Sequence, residues 1–496
     1  MSIRVQRLPY GVGRFSAGFW LFILVLLSVV GWGIYAYSRQ LVEGLVVTGL
    51  RDIGSMGGAA WGLYIAFDVY FVGVSFAGIT MAALIRLLRL EELRPVSRMA
   101  ELLTIVALIL AAFSVLPDLG QPVRGIVNLL RYARPQSPFF GTFTLVISGY
   151  LFASLVYFYL DGRRDAALLA RIPSPLQGFY RLWAAGYRDT PAERERHHRT
   201  AFWLAIAIVP LLVTAHSTLG FVFGIQSGRP GWFSTLQAPA FVVMAGVSGI
   251  GLLLVIAAVF RHVLGERERL HEGIFRWLGG LLALLVLVYL YFTVAELLTT
   301  TYTGHEAEVR LTVALLSGPY AWLFWVSMGA LVLALVSLVL PYVPSLVPVR
   351  VPSFQPAFTR AAGLAAAGAG LVLMLYRHSP RLVPVAGAGG PEPEWVGWVL
   401  AGLAVVFVLS WFPLFARSVV AAGVAGGLLV NVAAVGKRLL IVVPSQTHGT
   451  LLPYGPGSYT PTWVEYSVVA GLFALGTLLY TLFVKVFPIM EVAEER

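Results

Sequence analysis

The sequence predicts an all-α protein, a polytopic transmembrane bundle of about ten to twelve spanning helices with both termini cytoplasmic. Three observations carry this expectation. The residues are 58% hydrophobic and only 12% charged, whereas soluble domains hold roughly 45–50% and 25%. Apolar runs near the ~20 residues needed to cross a bilayer recur along the whole chain, so neither a signal peptide nor a single anchor explains them. The 35 Arg and Lys residues divide unevenly between alternate loops, 24 against 11, and insertion keeps the basic excess on the cytoplasmic side.

In chain order the expected spans are 18–37, 60–85, 99–117, 139–160, 201–225, 237–261, 274–298, 319–342, 358–376, 395–414, 418–441 and 464–487. The third closes where Pro117, Gly120 and Pro122 force a turn. Between the fourth and fifth lies the one long polar connection, Asp161 to Thr200, which reads as a short amphipathic segment followed by a solvated charge run on the inner side. The ninth, AFTRAAGLAAAGAGLVLMLY, is rich in Ala and Gly and requires protein neighbours for close packing. Three stretches follow: 1–342 as the main bundle, 343–415 as additional helices, and 416–496 as a C-terminal helix pair.

Composition excludes several chemistries. Cysteine is absent, which removes thiolate-held iron–sulfur clusters, attached c-type haem and disulfides. His216 is the only histidine well inside a span, and a membrane b-haem takes two facing histidines, so no intrinsic haem is expected. The formal charge of +11 is scattered over short loops and forms no nucleic-acid patch.

Ionisable groups inside a membrane are costly and therefore functional candidates. Asp68, His216 and Glu296 fall in a layer within roughly 14 Å of the outer surface, and Asp118 and Arg124 bracket the outer end of the third span at similar depth. The turn-rich loops GLRDIGSMGGAAWG, GIQSGRPGWF, TTTYTGHEAE and PSQTHGTLLPYGPGSYTPTW share that face. Elaborate loops on one face point to a site or docking surface there. The inner halves of the helices offer few titratable groups.

Several motifs, in order, carry a resemblance. They are AWGLYIAFDVYFVGVSFAG at 60–78, DLGQPVR at 118–124 with Asn128, PQSPFFG at 135–141, SGY at 148–150, HSTLGFVFGIQSGRPGWFSTLQAPAF at 216–241, ELLTTTYTG at 296–304 and YTPTW near the end. Together they resemble the NrfD family, the membrane subunits of polysulfide reductase, alternative complex III and related molybdopterin oxidoreductases. Gln121 stands where the family usually has Arg, and Asn128 and Phe143 stand where the alternative complex III branch carries its histidine and aspartate.

The resemblance implies a quinone-binding subunit of the inner membrane, with menaquinone as the expected quinone and no redox centre of its own. It implies electron exchange with a ferredoxin-like iron–sulfur subunit on the outer face, a molybdopterin-type or cytochrome subunit beyond it, and a second NrfD-like subunit as a further partner. Asp118 and His216 then form the proton-accepting pair, with Arg124 holding Asp118 as a carboxylate by charge pairing. Trp61, Tyr64, Asn128 and Arg229 line the quinone slot, and Asp68 and Glu296 are proton-path candidates. The alternatives are a proton-coupled transporter, which requires interrupted helices near the midplane, and a scaffold within such a complex.

Overall fold

A computed structural model of the chain describes residues 8–9, 11–50, 59–132, 134, 136, 143–342, 415, 417–447 and 459–492. Among the described residues every regular element is helical, and ten helical segments are long and apolar enough to cross a membrane. The ninth and tenth expected spans, the stretch 343–414 and most of the PQSPFFG motif lie outside the described residues.

The spanning helices are α1 (Ala17–Glu43), α2 (Leu63–Val74) continued by α3 (Phe76–Leu87), α4 (Arg94–Asp118), α6 (Phe143–Leu169), α8 (Pro191–Gly224), α9 (Gln237–Val263), α10 (Glu272–Thr303), α12 (Ala321–Val339), α13 (Val419–Val442) and α15 (Trp463–Val486). Short helices connect them: α5 (Pro122–Tyr132), α7 (Gln177–Ala184), α11 (Glu306–Leu316) and α14 (Pro444–Thr447).

Local chemistry sets the boundaries. Ser16 caps α1 by accepting from the Phe19 N–H at 3.1 Å. Thr190 and Glu193 close a capping box around Pro191 at the start of α8, which satisfies amide groups that a helix start leaves free. The first and last spans pack side by side, because Gly33 and Gly471 remove the side chains that would hold them apart. A Cβ on Gly33 would lie 2.9 Å from the Gly471 Cα.

The second span is broken. Helix α2 ends at Ser75 and α3 restarts at Phe76, freeing backbone carbonyls deep in the bundle, where each unmet group is costly. Side chains supply the partners. Thr104 Oγ1 and Tyr150 Oη donate to the Ser75 carbonyl at 2.6 and 2.7 Å. The Ser75 hydroxyl donates to the Val72 carbonyl at 2.6 Å, and His216 Nε2 lies 2.9 Å from the same oxygen.

Candidate functional site

A cavity opens at the end of the bundle formed by the starts of α9 and α11 and the ends of α10 and α13. The space between its walls, counted together with the open solvent at its mouth, is about 830 Å³. Phe241, Tyr289, Leu297, Leu311, Leu315, Phe324, Leu440 and Ile441 supply apolar wall, while Thr293, Glu296, Glu308, Lys437 and Arg438 bring polar groups to the same space.

The cations are set deep. Arg438 is 2% exposed and Lys437 8%. The Arg438 guanidinium lies 4.2 Å from the Phe241 ring centre, and the Lys437 ammonium 5.8 and 5.7 Å from Tyr289 and Phe324. Opposite them, Glu308 Oε2 accepts the Gly231 N–H at 2.9 Å. Burial raises the Glu308 carboxyl above its ordinary value of 4.5, against the opposing pull of that amide and of His305.

An aromatic wall leads from this cavity to the start of α2. Phe241 packs on Phe223, Phe223 meets Trp232 edge-on at 5.0 Å, and Trp232 stacks on Trp61 at 5.8 Å. The exposed Arg229 guanidinium sits 6.0 Å from the Trp232 ring. Of the expected residues, Glu296 therefore lines the cavity, and Trp61 and Arg229 stand along the wall that approaches it.

The other expected residues lie elsewhere. Asp118, 4% exposed, is within electrostatic reach of Tyr64 and Asp68. Tyr64 Oη donates to Gln40 Oε1 at 2.8 Å, and Gln40 Nε2 donates to the Pro117 carbonyl at 2.6 Å. Arg124 and Asn128 are exposed on α5: the Pro122 turn carries Arg124 onto the surface while Asp118 stays buried in the last turn of α4. His216 is 1% exposed, with Nδ1 2.8 Å from the Leu212 carbonyl and Nε2 on Val72. Its ring is engaged in bracing the break after α2, and it lines no part of the cavity.

Residues 52–372 match a family described as polysulphide reductase, NrfD. The chain belongs to the NrfD family. It is 34% identical, over 63% of its own length and 68% of the relative, to a putative dimethyl sulfoxide reductase membrane subunit of Halobacterium salinarum. It is 26% identical, over 64% of its length and 73% of the relative, to a selenate reductase subunit of Mesobacillus selenatarsenatis. An Hdr-like menaquinol oxidoreductase integral membrane subunit of Archaeoglobus fulgidus is also 26% identical, over 62% of this chain and 68% of the relative.

This NrfD-family membrane protein holds charged groups that sequence reasoning misses. By loop position Lys437 and Arg438 count as outer-side charges, but they lie buried within a spanning segment. Two adjacent cations with apolar runs on both sides, in AAVGKRLLIVV, are the signal that marks them. At the opposite end the expectation of few titratable groups fails. Arg98, 1% exposed, donates to Asp165 at 2.8 Å and to Asp161 at 3.1 Å, Arg86 also reaches Asp161, and Glu101 lies buried beside Ser97. Their spacing at helix ends makes them look like loop charges.

Proposed function

We propose that this chain is the quinone-reactive membrane subunit of an oxidoreductase complex, binding the quinol head group in the cavity between α9, α10, α11 and α13. The observation that carries the reading is a cavity with aromatic and aliphatic walls in which a carboxyl, Glu296, and two buried cations converge. A quinol needs a proton acceptor at one hydroxyl, a hydrogen-bond donor at the other oxygen and an apolar slot for its tail. The relatives, named as subunits of two reductases and of a menaquinol oxidoreductase, support the same reading.

In this proposal Arg438 and Lys437 hold one ring oxygen, whose proton leaves to solvent at the cavity mouth, while Glu296 takes the proton of the opposite hydroxyl. The two electrons pass to an iron–sulfur subunit docked at the cavity end of the bundle, which loop charges assign to the outer face. A molybdopterin-type or cytochrome subunit beyond it completes the transfer. Menaquinone is the quinone proposed, and the cytoplasmic membrane the location.

The broken second span favours one rival, a proton-coupled transporter. The Ser75 carbonyl is, however, already met by Thr104 and Tyr150, and the Val72 carbonyl by the amide and hydroxyl of Ser75. That disposition suits a braced helix better than a coordination site. The test is quinol-dependent electron transfer in the purified complex. In Glu296→Gln the rate should fall by about a hundredfold or more, as for loss of a general base, with the partner's clusters still reducible by dithionite. Asp118→Asn should retain most activity; an unchanged rate in Glu296→Gln, or the loss appearing only in Asp118→Asn, overturns the cavity as the site.

A further inference from the structure

The cavity is polar in a directional way. One wall, on α13, carries Lys437 and Arg438; the other, on α10 and α11, carries Glu296 and Glu308. Neither cation makes an ion pair or a hydrogen bond among the described residues; both are held by ring faces. An aromatic face attracts a cation but offers no lone pair to its N–H groups. A guanidinium brings five such donors and an ammonium three. These donors border the open cavity, so this wall is matched to a ligand that brings an electron-rich oxygen.

The carboxylate wall is not equivalent. Glu308 commits one oxygen to the Gly231 N–H, whereas Glu296 makes no hydrogen bond among the described residues and faces the shared space. The cations and Glu296 thus stand on different walls of a cavity whose Phe241, Tyr289 and Phe324 rings suit a flat ligand.

We propose that the cavity selects planar aromatic ligands bearing one negatively charged ring oxygen, which Arg438 and Lys437 hold while the opposite, proton-bearing oxygen faces Glu296. The inference rests on the quinone reading and sharpens it. Such ligands are singly deprotonated quinols and acidic hydroxyquinones, and neutral quinones bind more weakly. The two ring oxygens become inequivalent on binding, so the head group enters in one orientation.

The probes are a hydroxynaphthoquinone that is ionised at neutral pH and its neutral methyl ether, titrated into the intact complex by quenching of tryptophan fluorescence. The acid should bind about tenfold or more tightly than the ether, the worth of a charge-assisted hydrogen bond. That preference should collapse in Arg438→Gln, shrink in Lys437→Gln and persist in Arg438→Lys. Equal affinities in the wild-type complex, measurable whether or not the variants assemble, overturn the proposal. So does a preference that survives both Gln variants. A preference that depends on Arg438 while the acid leaves quinol-dependent transfer unimpeded upholds the ligand class and overturns the quinone reading.

Discussion

At the scale of single residues, Arg98 shows how a charge can serve structure deep inside a membrane protein. Its guanidinium meets Asp161 and Asp165, donates to the Pro488 and Met490 carbonyls at 3.1 and 3.3 Å, and lies 5.3 Å from the Phe487 ring centre. One side chain thereby ties α4 to α6 and to the segment that follows α15. Arg98→Met should destabilise the folded protein by about 3–5 kcal/mol, because it leaves the buried Asp165 without its cation and Asp161 with Arg86 alone. A thermal-unfolding series in detergent reads this, and adding Asp165→Asn to the variant should recover part of the loss. No recovery would mean that the tail contacts, and not the charge balance, dominate. Little of this was legible in sequence, since Arg98 differs from a loop arginine only through Asp161 and Asp165, which are more than sixty residues away. Lys437 and Arg438 were legible in principle, because two charges flanked by apolar runs have few places to go.

At the scale of elements, α11 is the piece least visible in the sequence. It is too short to span, and its polar first turn merges with the loop before it. Folded, it covers the cavity. Leu311 and Leu315 face inward, and Glu308 fastens it to Gly231, whose φ of +75° and close approach to Leu311 require glycine. Gly304, with φ +67°, separates it from α10. The Glu308 carboxyl is raised above 4.5 by burial, so the closed helix binds the proton more tightly than an open one does. Closure is therefore firmest below that ordinary value and weakens as pH climbs through the raised one. The chain contains no cysteine, so a nitroxide on Val313→Cys, an exposed α11 position, reports α11 alone. Its mobility should increase with pH in that window and stay flat in Glu308→Gln. A pH response that persists in Glu308→Gln would assign the latch to another group.

At the scale of the whole molecule, the helical membrane class and the spans within the described residues were readable because hydrophobic length and loop charge are local properties. The assembly of the cavity was not, because it draws its walls from helices up to about two hundred residues apart in the chain, whereas sequence reasoning brings together residues that are close in sequence, such as Asp118 and Arg124. Orientation is the remaining property on which the functional reading turns, since it decides which compartment's iron–sulfur partner can reach the cavity. From the excess of Arg and Lys, 24 against 11, we propose that the cavity end lies outside. Arg229→Cys and Tyr302→Cys stand at that end and Arg188→Cys at the other, all at exposed positions, in a chain with no cysteine of its own. A membrane-impermeant maleimide applied to intact cells should label the first two and leave Arg188→Cys unlabelled until the membrane is opened. The inverse pattern would turn the cavity toward the cytoplasm, and the proposed electron acceptor, together with the release of quinol protons, would then belong to the inner side.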